Sequence, residues 1–295
     1  MRKKILSQSL IENAIDSLEE GLTRYESALD GDEKSFKYAI LSISHYIELS
    51  FKFFVTRISP LLIYKNPFSD TLRQQQTISM WEAVNFVKHS VEEGILESPK
   101  MKSKDVIRDL EYLKNIRNDI EHHKFDVDKD RVDKTIGKVL SVLHELYELH
   151  DEPIQDRLPS VLEDFYGQLI DDYKRKLLVA NKTAASVIMQ YEDQVHVDDT
   201  SDRPDILSAD CSRCGNETLV FDEESYNYQC TFCHNTEAVV VCQWCDDKFP
   251  YSGAAYKIEI NEIDDNDDTY VDDENSIYFC SKQCRDSDMR KKLGD

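Results

Sequence analysis

Apolar positions recur at three- and four-residue intervals over residues 6–29 and again over 33–59, with few breakers, a spacing that predicts two long amphipathic helices. Pro60 predicts the end of the second, because proline lacks an N–H and crowds the preceding turn. Residues 66–76 read as a polar loop. Helical spacing returns over Thr77–Glu93, Ser103–His122 and Asp128–His150, with Gly94, Ser98 and Pro99 between the first two, and a longer segment runs from Leu158 to about Gln190. Strand-like alternation is missing before residue 215. The pattern therefore predicts an all-α N-terminal bundle over 1–150 with a helical extension over 151–190. Residues 191–209 are acidic and polar, carry Pro204, and read as a linker. Beyond it, short strands lie between cysteine pairs, which predicts small β/α modules over 210–240 and 241–295.

Charge sharpens this division. The net charge is −22, and residues 183–295 alone carry 9 Lys+Arg against 26 Asp+Glu. The helical half is close to neutral and the acidity sits in the tail, which disfavours non-specific polyanion binding there and favours a protein partner. The basic N-terminus, MRKKILSQSL, is not followed by an apolar run of signal-peptide length. The most apolar stretch, Tyr38 to Leu62, is interrupted by His45, Glu48, Lys52 and Arg57, as in a buried amphipathic helix and unlike a membrane span. The expected compartment is the cytosol.

All eight cysteines lie after residue 210, and in a cytosolic chain such close pairs read as metal ligands before disulfides. Cys211-x2-Cys214 and Cys230-x2-Cys233 have the spacing of a zinc ribbon, with Thr218–Phe221 and Tyr226–Gln229 available as its hairpin. Cys242-x2-Cys245 forms a third knuckle. Cys280 and Cys284, four apart, suit one face of the first turn of a helix, a treble-clef-like layout. A cross-braced pairing of the two quartets stays open. Two structural zinc ions are expected; four thiolates each leave no open position for catalysis. His234 reads as a bystander. The segment 261–276 is dense in carboxylates but lacks the glycine and distal glutamate of an EF-hand loop, so it reads as a solvated acidic loop.

Candidate chemistry sits elsewhere, in KDVIRDLEYLKNIRNDIEHH, residues 104–123. At about 100° per residue, Val106, Leu110, Leu113 and Ile120 share a narrow stripe, and Arg117 falls inside it. An arginine on a core-facing stripe needs a partner or a cleft. The second helix offers one: its apolar stripe is Ile40, Ile43, Ile47, Phe51 and Phe54, and His45, Glu48 and Lys52 flank it. Glu48 can pair with Arg117 across helices or with Lys52 on its own. Asn118 and His122 share a different face of the motif helix.

Arg117-Asn118-Asp119-Ile120-Glu121-His122 resembles the R-x4-6-H motif of HEPN-domain proteins, and AILSISHYIELSFKFF resembles the acidic, apolar-Lys segment of that family. Bacterial HEPN proteins with a C-terminal zinc ribbon are similar in layout. The resemblance implies a metal-independent endoribonuclease, a toxin or antiphage effector, often a homodimer, with RNA as substrate. It implies His122 as the proton-transfer group, Arg117 as the phosphate-stabilising charge, Asn118 as an orienting group and Glu48 as the partner of Arg117. On an ideal helix Arg117 and His122 lie about 140° apart, so they converge only if the helix ends near residue 120 or if the site spans two chains. His123 offers the longer spacing. The residues by themselves favour a structural arginine paired with Glu48, with His122 and His123 as a basic helix end favoured by the dipole. That leads to a second reading: a non-catalytic dimerisation or nucleotide-binding module with a protein-binding zinc tail.

Overall fold

The computed structural model describes residues 9–71, 76–102, 104–122, 126–194, 206–254, 256–259 and 276–293. The acidic segment 261–275, most of the linker and His123 lie outside them. The chain divides into two compact units, Met1–Lys174 and Arg175–Asp295. The division falls inside a single helix, where the sequence shows an unbroken apolar periodicity.

The first unit is helical. α1 (Leu10–Leu29) and α2 (Glu33–Ile58) are followed by α3 (Met80–Glu92), α4 (Lys104–His122), α5 (Lys129–Leu149) and α6 (Ser160–Gln194). Starts are set by local chemistry. Ser9 and Glu12 exchange backbone hydrogen bonds at the head of α1, and Ser79 and Glu82 do the same for α3, which begins three residues later than its spacing suggests. α2 stops at Ser59, extended before Pro60, as the restriction on a pre-proline residue requires.

The core of this unit is continuous. Leu18 and Leu22 of α1, Ile40, Ile43, Ile47, Phe51 and Phe54 of α2, and Val106, Leu110, Leu113 and Ile120 of α4 are all buried with Val139, Leu140 and Leu143 of α5. Both stripes read from the sequence thus face the core. α1 and α2 approach closely at Gly21, where an added Cβ would stand 2.7 Å from a side-chain carbon of Ile43. Two other polar links between helices, besides the Glu48–Arg117 candidate, carry no signal in the sequence. Tyr25 donates to Asp133, and Lys138 pairs with Asp109 at 2.9 Å with both side chains 10% exposed. Among the described residues no helix is long and apolar enough to cross a membrane.

The second unit contains the cysteines. β1 (Ser208–Ala209), β2 (Leu219–Asp222), β3 (Asn227–Cys230), β4 (Thr236–Val241) and β5 (Lys248–Pro250) form an antiparallel sheet in that order, and β6 (Tyr256–Glu259) pairs with β7 (Ser276–Phe279), which leads into α7 (Lys282–Leu293). The expected ribbon hairpin is present, with register Leu219↔Cys230 to Asp222↔Asn227, one residue along from the sequence reading. β4 pairs with β3 on one side and β5 on the other. One strand therefore serves both cysteine modules, across the residue 240 boundary that spacing alone suggests.

Candidate functional site

Three of the four cysteine pairs adopt one backbone form. In each, the residue after the second cysteine has positive φ: Gly215 at 68°, His234 at 59° and Asp246 at 61°. Its N–H donates to the carbonyl of the first cysteine, at 2.7, 2.9 and 3.0 Å respectively. The first cysteine's own N–H donates to the carbonyl five residues on, at Asn216, Asn235 and Asp247. This loop turns both thiols of a C-x2-C pair toward one point. It also accounts for His234, which occupies the left-handed position of its knuckle and does not join the ligand set.

The quartets are consecutive: Cys211, Cys214, Cys230 and Cys233 form one, and Cys242, Cys245, Cys280 and Cys284 the other. In each, the four sulfurs lie within 4.8 Å of one another. Measured separations are 3.5 and 3.6 Å in the first and 3.5, 3.6 and 3.8 Å in the second. A tetrahedron with Zn–S bonds of about 2.3 Å has edges of about 3.8 Å, whereas a disulfide needs about 2.05 Å. The geometry fits two zinc sites and excludes the disulfide reading. Cys284 lies in the first turn of α7 and Cys280 just before it.

The electrostatics agree. In the first quartet, contact with Cys211 above all pulls the Cys230 thiol well down and pushes Cys214 well up, so four close sulfurs do not ionise together without a cation. Burial opposes ionisation of Cys242, yet backbone N–H groups of Cys280, Cys245 and Trp244 draw it down to about 7. The outer support is unequal. Thr218 Oγ1 lies 3.2 Å from Cys230 Sγ, and Asn216 Nδ2 donates to Cys214 Sγ at 3.5 Å. Glu237 on β4, 8% exposed, accepts from Ser212 N and Oγ, Asn235 Nδ2 and Ser252 N, and so ties the ribbon to the start of the second module. Those hydrogen bonds outweigh burial and hold its carboxyl below the ordinary range.

The polar constellation of the helical unit is a chain of ion pairs. Lys52 Nζ donates to Glu48 Oε1 at 2.7 Å, and Arg117 Nη1 donates to Glu48 Oε2 at 3.0 Å. Glu48 thus makes both of the pairings that its position allows. Arg117 Nε also donates to Glu121 at 3.1 Å, a partner missed in the sequence although it stands four residues on. Burial alone would raise Glu48; the bonds from Lys52 and Arg117 hold it below its ordinary value. Arg117 is partly exposed at the rim of the core stripe, and its donors go to carboxylates. Asn118 and His122 are exposed on the other side of α4. α4 remains helical through His122, so the first condition for bringing Arg117 and His122 together within one chain is not met.

Arg117 opens instead onto a shallow depression of about 390 Å³, lined also by Asp16, Ser17, Glu20, His45 and Glu121. Ser17 Oγ donates to the carbonyl of Asn13 and lies 2.9 Å from His45 Nδ1. When the serine proton points to that carbonyl, a neutral His45 ring donates through Nδ1–H and keeps a lone pair on Nε2. Partial desolvation of the ring lowers its pKa, with Glu48 opposing and Arg117 and Lys52 reinforcing. Spacing alone reads His45 as a packed helix histidine; only the tertiary arrangement brings it to the same depression as Arg117. Comparison with protein-family models, curated proteins and solved structures finds no match.

Proposed function

We propose that the helical unit is a metal-independent endoribonuclease of the HEPN type that works as a pair of chains, with the zinc-bound unit as its recognition tail. The observation that carries this reading is the Glu48–Arg117 contact. It joins the motif helix to the α2 segment singled out by the resemblance, and it leaves the guanidinium at the edge of an open depression. The continuous α4 helix sets His122 away from Arg117 of its own chain, which favours a composite site in which a second copy supplies the imidazole. In such a site the ribose 2′-oxygen attacks the adjacent phosphorus and the P–O5′ bond breaks. Imidazole moves the proton, and the products are a cyclic phosphate and a 5′-hydroxyl. Arg117 stabilises charge on the phosphate, Asn118 orients it, and Glu48 positions Arg117. An enzyme of this kind suits a toxin or antiphage effector.

One observation favours the non-catalytic module. Asp16, Glu20 and Glu121 surround a single guanidinium, a lining that repels a polyanion. The two readings part in one assay: cleavage of a mixed RNA pool in magnesium-free buffer with zinc retained. The parent is compared with Arg117→Ala, His122→Ala and His45→Ala variants, each checked for helical content. Cleavage by the parent with cyclic-phosphate ends, lost in Arg117→Ala and His122→Ala, is the expected result. Loss in His45→Ala with retention in His122→Ala would move the proton-transfer role to the depression within one chain. Absence of cleavage by the parent at any protein concentration across the dimer range would favour the binding module.

A further inference from the structure

The two quartets have the same ligands and the same sulfur geometry but different surroundings. In the first, Cys211 and Cys230 are fully buried, and Leu219, Phe221, Tyr228 and Phe232 of the ribbon are buried with them. Backbone N–H groups reach sulfurs of both quartets, but here the sulfurs also receive a hydroxyl contact from Thr218 and a side-chain amide donor from Asn216. Donors of this kind draw density from a thiolate and blunt it as a nucleophile. In the second quartet Cys245 is exposed and Cys280 and Cys284 are half-buried. Among the described residues its side-chain hydroxyl contact is Ser281, 4.0 Å from Cys280 Sγ. Among the described residues Val240, Cys242, Phe249 and Phe279 form the buried core beneath it, with Ile277 and Tyr278 partly buried against them.

We propose that Cys245 is an oxidant-sensitive modification site, at which a peroxide converts two zinc thiolates of the second quartet into a disulfide and frees that ion while the first quartet keeps its own. This goes beyond the ribonuclease reading and does not depend on it. Cys245 Sγ attacks one peroxide oxygen; the S–O bond forms, the O–O bond breaks, and the departing hydroxide is protonated to water. Cys280, whose sulfur is 3.6 Å away, then attacks the sulfenyl sulfur; the S–S bond forms and the second oxygen leaves as water. Two thiolates lose two electrons in total, one peroxide and two protons become two waters, and the zinc is left with two ligands. A thiol reductant reverses the step.

The test uses the full chain loaded with two zinc ions, treated with hydrogen peroxide in the presence of a chromogenic zinc chelator. One zinc per chain is expected to appear at least tenfold faster than the second. Differential alkylation with mass spectrometry should place the first disulfide at Cys245–Cys280, with Cys211, Cys214, Cys230 and Cys233 still reduced. Dithiothreitol with added zinc should restore two ions per chain. Simultaneous release of both ions, earlier oxidation of the first quartet, or a first disulfide that omits Cys245 would overturn the assignment. Cys245→His keeps a zinc ligand and removes the thiol, so its fast phase should vanish; a fast phase that persists in the loaded variant would also overturn it. The mapping on the parent chain decides the question whether or not that variant loads.

Discussion

The helical unit and the cysteine unit solve the same problem with different means. The first buries a continuous set of leucine, isoleucine, valine and aromatic side chains drawn from six helices. The second has short strands and, among the described residues, a core of four under one of its modules, and relies on eight thiolates. Folding of the first is therefore distributed over many weak contacts, whereas that of the second is concentrated at two ions. In the first unit, removing one contact subtracts; in the second, removing one ion dissolves a module.

The strongest way to break this contrast is chelation. Structural zinc contributes roughly 10–16 kcal/mol in small zinc domains, far more than strands this short retain without it. A strong chelator should abolish amide protection over residues 206–254 and in α7 while α1 to α5 stay protected in hydrogen exchange. Protection that survives in the sheet would mean that the ribbon stands on apolar packing. Next in size is the core of the helical unit. Phe54 is fully buried and its ring lies 4.9 Å from that of Tyr147, so Phe54→Ala should destabilise the unit by about 3–5 kcal/mol in urea unfolding, with zinc content unchanged.

Smaller effects sharpen the comparison at polar joints. Glu48→Ala leaves Lys52, whose side chain is 9% exposed, with Thr77 as its hydrogen-bond partner among the described residues, and should lower stability by about 2 kcal/mol. Arg117→Ala should be milder, because Glu48 keeps Lys52; equal losses for the two would show that the arginine is the structural member. The smallest expected effect is that of mild acid. His45, His144 and His150 all have lowered pKa values, in each case chiefly through burial. The unfolded chain protonates these rings first, so stability should fall as pH drops below about 6.5. Glu48 and Glu237, held below their ordinary values, add to the loss as pH falls further through the carboxylate range. A flat stability profile between pH 7 and 5 would show that these rings titrate as in water.

Much of this was legible in the chain, and the legible part has a common cause. The helices of the first unit follow from periodicities within one segment, and Ser9 with Glu12 or Ser79 with Glu82 fix their starts within four residues. The knuckles follow from cysteine spacings of three. The Glu48–Arg117 pair was visible as a candidate because an arginine on an apolar stripe demands a partner. What stayed hidden depends on tertiary placement. Whether the quartets were consecutive or cross-braced, the role of Glu237 as a joint to Ser252, the sharing of β4, and His45 beside Arg117, 72 positions away, all lack a local signature. The angular gap between Arg117 and His122 was foreseen, but only the persistence of α4 through His122 removed one way of closing it.

The consecutive order of the quartets also bears on how the chain is made. Cys233 completes the first ligand set before Cys242 has been synthesised, and Cys284 follows Cys233 by 51 residues. At 5–20 residues per second, that is an interval of about 3–10 seconds. During it the ribbon can capture its ion and present β4 as a finished edge, on which β5 then assembles as it leaves the ribosome. A cross-braced arrangement would delay the first site until Cys245 and leave Cys230 and Cys233 waiting for Cys284. Sequential sites make metal loading a vectorial process, in which the first ion templates the place of the second.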